Sequence, residues 1–224
     1  MCFSPAADLA VGAALLPVGV AALREVRCRR EIPFALLPVV FAAHQLIEAA
    51  IWPDAKMLSG EMLDLAVRAY LFIAFALLPA LVPIAILLLE PRGARLRVAP
   101  FVALGAVVSA YLAVVVLTEP VGIIVHPHAL EYRHGVTDPW VWGTLYIVAV
   151  IGPALMSGYP SIVAFGVINL VGLIVVAIIY FQAFASLWCV IAAVASSLAL
   201  VHMVSRRRLT DPHRIDGVAP VPVA

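Results

Sequence analysis

Charged residues are scarce in this sequence of 224 residues. Asp, Glu, Lys and Arg make up 12% of the chain and apolar residues 65%, whereas soluble domains contain about 25% charged residues. The formal net charge is only +1, and no basic patch alternates with aromatic residues, which excludes a nucleic-acid surface. A composition this poor in charge indicates a protein whose main partner is the lipid bilayer.

Cysteine is also rare, and the motifs of soluble enzymes are missing. Three cysteines are too few for a disulfide framework, and none has the spacing of a zinc ribbon or a thioredoxin-like motif. The sequence contains no Gly-x-Ser-x-Gly elbow, no P-loop, no dinucleotide-binding fingerprint and no His-Glu-x-x-His. These absences exclude the soluble enzyme classes that such motifs define.

Long apolar runs are what the sequence does contain. A helix needs about 20 apolar residues to cross a hydrocarbon core of about 30 Å. Seven such runs cover approximately 4–23, 33–52, 63–89, 98–118, 140–158, 161–181 and 183–204. We therefore predict an all-α fold, a seven-helix transmembrane bundle over residues 1–208, with a disordered tail over 209–224. No cation precedes the first run, so we expect a retained helix and not a cleaved signal.

The positions of the cations predict the orientation. Eleven of the fourteen Lys and Arg residues fall between the first two runs, between the third and fourth, and after the last. With seven spans these three clusters share one side of the membrane, and that side is cytoplasmic by the positive-inside rule. We predict an N-terminus outside, a cytoplasmic C-terminus and a location in the inner (plasma) membrane. The eleven cations are Arg24, Arg27, Arg29, Arg30, Arg92, Arg95, Arg97, Arg206, Arg207, Arg208 and Arg214.

Ionisable residues inside the runs are few and therefore informative. In the second run, His44 and Glu48 are four residues apart, which places them on one face of a helix, with Trp52 one turn further along. Arg68 lies at a similar depth in the third run. The spacing predicts either a structural ion pair between Glu48 and Arg68 or a functional site that contains both, with Glu48 and Arg68 as its catalytic candidates.

Further polar residues are expected in the same outer layer. Cys2 precedes the first run, and Trp188 and Cys189 lie in the first turns of the last. Cys2 and Cys189 are candidates for a disulfide, for metal ligands or for two free thiols. Segment 119–139 shows no clear element and is longer than most connections in helix bundles, so we expect it to cover the site and to contribute Tyr132.

Three classes of function remain open. His44, Glu48, His126 and His128 are candidate ligands for a transition metal such as zinc, which would activate water against a lipid or a small polar molecule, with Glu48 as base or ligand. A transporter or proton-linked carrier is the second class. The third is a membrane subunit or sensor whose outer face docks a partner. We expect a monomer or a homo-oligomer.

Three motifs resemble those of an uncharacterised family of small bacterial multi-pass membrane proteins. They are Met-Cys-Phe-Ser at 1–4, His-Gln-Leu-Ile-Glu at 44–48 with Trp52, and Phe-Ala-Ser-Leu-Trp-Cys at 184–189. The resemblance spans nearly the whole chain and departs from the family at position 44, where Gln is common. It implies the same membrane fold and directs attention to these binding candidates: Cys2, Gln45, Glu48, Trp52, Trp188 and Cys189.

Overall fold

The computed structural model describes residues 4–126, 129–179 and 184–208 of the chain. Within these residues the fold is a bundle of seven helices. They are α1 (Pro5–Arg24), α2 (Arg29–Ile51), α3 (Glu61–Leu89), α4 (Arg95–Thr118), α5 (Pro139–Leu155), α6 (Pro160–Ile179) and α7, which consists of Phe184–Ser196 followed by Leu198–Arg208. The predicted seven-helix, all-α bundle is confirmed.

The outer surface of the bundle is apolar. In the described part of the chain, six helices are long and apolar enough to cross a membrane, and α5 is a shorter apolar helix of 17 residues. Leu117, Ile178 and Val20 are among the large apolar side chains that remain exposed, as contact with lipid tails requires. The protein is a multi-pass membrane protein.

Successive helices pack against one another, and α7 closes the bundle by packing on α1 and α2. Small residues bring α1 and α2 together. A Cβ atom at Gly12 would lie 2.8 Å from Leu46, and one at Gly19 would overlap Val39. Because lipid provides little hydrophobic drive for helix association, such close backbone contact is a main source of packing energy in membranes.

The two ends of the bundle differ in charge. At one end, Arg206 forms an ion pair with Glu31 (Nη1 to Oε1, 3.5 Å), which joins the end of α7 to the beginning of α2. The connection between α3 and α4, which contains Arg92, lies at this same end. We call it the arginine end. The opposite end carries the segment between α4 and α5, which forms the β-hairpin described below, and we call it the hairpin end. The side of the membrane that each end faces stays a prediction.

Helix α3 contains a wide turn that the sequence did not reveal. Residues Phe72–Leu77 are π-helical, and Pro79, which follows, has no N–H to donate to the preceding turn. Hydroxyl groups of other helices bind two carbonyl oxygens of this segment. Tyr146 of α5 donates to Ala74 O (2.8 Å), and Ser109 of α4 donates to Ala76 O.

The segment between α4 and α5 is more regular than we expected. It forms an antiparallel β-hairpin of β1 (Gly122–His126) and β2 (Ala129–Arg133), with Ile123 opposite Tyr132. The prediction that 119–139 lacks an element is therefore wrong. Leu130 and Tyr132 of the hairpin are buried against Trp52 and Tyr70, so the hairpin folds down onto the helices.

Candidate functional site

One face of α2 carries three polar side chains that are completely buried. His44, Gln45 and Glu48 each have 0% of their surface exposed. The spacing of four residues between His44 and Glu48 places them one above the other, as predicted. Since α2 packs on α1, α3 and α7, this polar face lies in the interior of the bundle and not against lipid.

Three hydroxyl groups surround the Glu48 carboxyl. The Tyr132 hydroxyl, from the hairpin, donates to Glu48 Oε1 over 3.3 Å, and Tyr70 of α3 and Ser186 of α7 interact with the same carboxyl group. Burial and the neighbouring Glu48 carboxyl raise the pKa of Tyr132 well above its usual range. The Tyr132 hydroxyl therefore keeps its proton and remains a hydrogen-bond donor.

Aromatic rings from three elements form a stack beside Glu48. The His44 ring lies on Tyr70 with 3.9 Å between ring centroids, and Tyr70 lies on Tyr132 with 4.4 Å between centroids. The stack connects α2, α3 and β2. It holds the hairpin against the helices and fixes the positions of the Tyr70 and Tyr132 hydroxyls.

A second buried carboxyl lies close to Glu48. Asp8 of α1 is 2% exposed, and the Trp52 indole Nε1 donates to its Oδ2 over 2.8 Å. Electrostatic interaction links Asp8 with Glu48. Asp8 was not expected at this site from the sequence. An acidic residue in the first turn of an apolar run was the available signal, because such a residue is costly in a membrane.

Helix α7 contributes Cys189 and Ser186 to the cluster. Cys189 is buried and lies next to the Tyr70 hydroxyl and Glu48. Trp188 points elsewhere, since its indole donates to Asn169 O of α6 over 3.3 Å. Cys2 lies outside the described residues, so its pairing with Cys189 stays a prediction.

Arg68 is not part of this cluster. Its Nη1 donates to two backbone oxygens, Val116 O at 2.6 Å and Glu119 O at 3.2 Å. Among the described residues no ion pair joins Arg68 to Glu48, so the predicted pair is wrong. The physical reason is that α4 ends with carbonyl groups that lack helical partners, and a guanidinium group satisfies them.

The described members of the predicted metal-ligand set, His44, Glu48 and His126, are not grouped into a metal site. His126 Nε2 lies 2.7 Å from Glu131 Oε2 within the hairpin, and His128 lies outside the described residues. Across 4–126, 129–179 and 184–208, no three His, Cys, Asp or Glu side chains are grouped so that they could hold a metal ion. Zinc usually takes three or four such ligands in proteins.

Several polar atoms in the cluster have no hydrogen-bond partner although they are buried. They belong to three neighbouring side chains of α2. The atoms are His44 Nδ1 and Nε2, Gln45 Nε2 and Oε1, and Glu48 Oε2. More than 90% of buried polar groups in proteins are paired, so this concentration of unpartnered atoms is unusual.

The arginine end holds a different carboxyl arrangement, which the sequence did not reveal. Glu90, also 0% exposed, accepts from the Ser157 hydroxyl (2.6 Å) and the Gly158 N–H (2.9 Å) and pairs with Arg97 at 3.3 Å. A cavity of about 470 Å³ lies beside it. Because Glu90 is fully partnered, its geometry indicates a clamp between α3, α4 and the turn from α5 to α6.

Comparison with known proteins identifies the family but no activity. No curated protein and no solved structure matches this chain. The model of a family of unknown function, DUF6629, matches residues 1–215, which is nearly the whole chain and includes every residue of the buried cluster. The chain belongs to this uncharacterised family.

Proposed function

We propose that this protein binds a small polar ligand inside the hairpin end of its helical bundle. One observation carries the proposal: five hydrogen-bonding atoms on three neighbouring buried residues, His44, Gln45 and Glu48, have no partner. Each such atom costs about 1–3 kcal/mol when it is left without a bond. A ligand that bonds to several of them at once would recover much of this free energy.

The hydrogen bonding of the cluster is more typical of a binding site than of a structural network. In a structural network the polar groups bond to one another, as Glu90 does with Ser157 and Gly158. His44 and Gln45 instead present donors and acceptors that no described neighbour uses. Ordered water is the alternative occupant, since buried waters make about three hydrogen bonds each to polar groups of this kind.

The β-hairpin is the cover of the proposed site. Tyr132 is the hairpin residue that reaches Glu48, and Leu130 is 0% exposed beneath the same strand. Displacement of the hairpin would remove one donor from Glu48 and open the cluster towards the hairpin end. By the distribution of arginines that end faces the outside of a bacterial plasma membrane, and the ligand would enter from there.

Native mass spectrometry tests the binding function. We expect the purified wild-type protein to retain a small bound species that is heavier than water. The His44→Phe and Gln45→Met variants should lose this species. These two substitutions keep the size of the side chain and remove its hydrogen-bonding atoms. Ser109→Ala, which removes a hydroxyl bonded to Ala76 O outside the cluster, is the control and should retain the species.

A measurement of thermal stability covers the case in which a weakly bound ligand is lost during purification. If the cluster holds nothing, Gln45→Met removes a buried amide whose two polar atoms have no partner and should raise the melting temperature of the protein in detergent. A bare wild-type protein together with a more stable Gln45→Met variant would contradict the proposal. A ligand-bound protein should instead lose stability with the same substitution.

A further inference from the structure

We propose that the ligand is a small organic cation, such as a protonated amine, held between Asp8 and Glu48. This inference rests on the proposed function and specifies the chemistry of the ligand. Asp8 and Glu48 are 2% and 0% exposed, and they interact electrostatically across the interface of α1 and α2. Two carboxyl groups at this depth need positive charge or protons to compensate the loss of water.

No side chain in the described part of the chain supplies that positive charge. Arg68 is bound to backbone carbonyls. The described ion pairs between arginine and a carboxylate lie at the arginine end, at Glu90 and Glu31. The partners of Asp8 and Glu48 are instead neutral donors, namely the indole of Trp52 and the hydroxyl of Tyr132.

Protons alone would not satisfy the site. A proton on each carboxyl would neutralise the charge, but the Gln45 amide and both His44 nitrogens would still have no partner. An ammonium group carries up to three N–H donors, and the unpartnered acceptors of the cluster are Glu48 Oε2, Gln45 Oε1 and one nitrogen of neutral His44. A bound ammonium group would therefore compensate the negative charge and also supply hydrogen bonds to these acceptors.

Aromatic side chains around the carboxyl pair favour an organic cation over a metal ion. Tyr70 and Tyr132 stack beside Glu48, and Trp52 is bonded to Asp8. Aromatic rings are common around bound ammonium groups, which they attract by cation–π interaction. Both faces of Tyr70 are covered by His44 and Tyr132, so Tyr132 and Trp52 are the rings that would contact the cation. A transition metal would require a third or fourth protein ligand, which the described residues do not group there.

Cys189 provides a natural probe because it lies next to Glu48 and Tyr70. The experiment uses the full chain with Cys2→Ser and Cys28→Ser in lipid nanodiscs. It compares two methanethiosulfonate reagents of similar size, one with a trimethylammonium group and one with a sulfonate group. Each rate of Cys189 modification is divided by the rate of the same reagent with a simple thiol.

We expect the cationic reagent to react with Cys189 at least about tenfold faster than the anionic one, because a cleft with charge of one sign raises the local concentration of the opposite charge. Asp8→Asn and Glu48→Gln should each reduce this ratio, and the double variant should bring it close to one. Both substitutions keep the acceptor oxygen for Trp52 or Tyr132. Tetramethylammonium should slow the modification, whereas sodium at equal concentration should not.

The outcomes separate this inference from the proposed function. If neither reagent modifies Cys189 faster than the protein unfolds and native mass spectrometry also finds no bound species, the cluster is closed and the proposed binding function fails together with the cation assignment. If both reagents react without preference, or the anionic one is faster, a pocket exists but the cation assignment is wrong. Glu90→Gln, which removes a buried charge at the arginine end, is the matched control and should leave the ratio unchanged.

Discussion

At the scale of single residues, four buried carboxyl groups differ in whether a positive charge compensates them. Glu31 and Glu90, at the arginine end, are each paired with an arginine. Asp8 and Glu48, at the hairpin end, have no such partner among the described residues. A buried ion pair contributes little net stability to the fold, whereas a buried charge without a partner is strongly destabilising. That contrast makes the hairpin end the functional candidate.

The hydrogen bond from Trp52 to Asp8 should contribute measurably to stability. Trp52→Phe keeps a ring in the core but removes the Nε1 donor, which leaves the Asp8 carboxyl with one bond fewer in a buried position. We expect a loss of about 1–3 kcal/mol in the free energy of unfolding, measured by denaturant titration in detergent.

Trp140, which is 71% exposed on α5, gives the control for this substitution. Trp140→Phe should change the unfolding free energy by less than about 0.5 kcal/mol. Equal effects of the two substitutions would show that neither the Nε1 donor nor the larger ring of Trp52 contributes measurably to stability. The bond to Asp8 would then have no energetic role.

At the scale of elements, backbone contact decides how closely α3 and α4 approach. Gly105 of α4 lies directly against Pro79 of α3, so that a Cβ atom at this position would overlap the Pro79 carbonyl oxygen. The contact is next to the π-helical turn of α3, whose carbonyl at Ala76 is bound by Ser109 of α4. Gly105 and the Ser109 hydroxyl, one turn apart on α4, thus contact α3 where its regular pattern of backbone hydrogen bonds is interrupted.

Gly105→Ala should therefore destabilise the bundle by about 1–3 kcal/mol, because the helices must move apart to accommodate the methyl group. Gly143→Ala is the matched control, since this glycine is also helical but has no atom within 4 Å of an added Cβ. It should be neutral or stabilising by up to about 1 kcal/mol. Thermal unfolding of both variants in the same detergent measures the difference. A Gly105→Ala protein as stable as the control would show that α3 and α4 do not need this contact.

On the scale of the whole molecule, α1 begins at the hairpin end, where Asp8 meets Trp52, and α7 ends at the arginine end, where Arg206 meets Glu31. Contacts at the arginine end, such as Glu31 with Arg206 and Glu90 with Gly158, join the connections that the sequence predicts to be cytoplasmic. The hairpin end carries Lys56, the only lysine of the chain, in an exposed position between α2 and α3. One residue can therefore report the orientation.

We expect a membrane-impermeant amine reagent to label Lys56 in intact cells. In a Lys56→Arg background, a lysine introduced by Arg29→Lys at the arginine end should be labelled only in inverted vesicles. Peptide mass mapping separates these sites from the N-terminal amine. The reverse pattern would overturn the predicted orientation, and with it the entry of the ligand from outside.

Local features of the sequence were sufficient to predict the helices. The lengths of the apolar runs predicted all seven helices within a few residues, because the bilayer imposes a minimum length and a helix satisfies its own backbone. The spacing of His44 and Glu48 likewise placed both on the buried face of α2, since that relation depends only on helical geometry.

Which polar residues meet was decided only by the tertiary structure. Arg68 lies towards the hairpin end of the bundle but is turned to the end of α4, whereas Asp8, Tyr70 and Ser186 are turned to Glu48. The hairpin brings Tyr132 to the same carboxyl from 84 positions along the chain. The rotation of a helix about its axis, and the pairing of distant segments, depend on contacts with every neighbour. Sequence spacing therefore determined the position of each polar residue along its helix, and packing determined its partners.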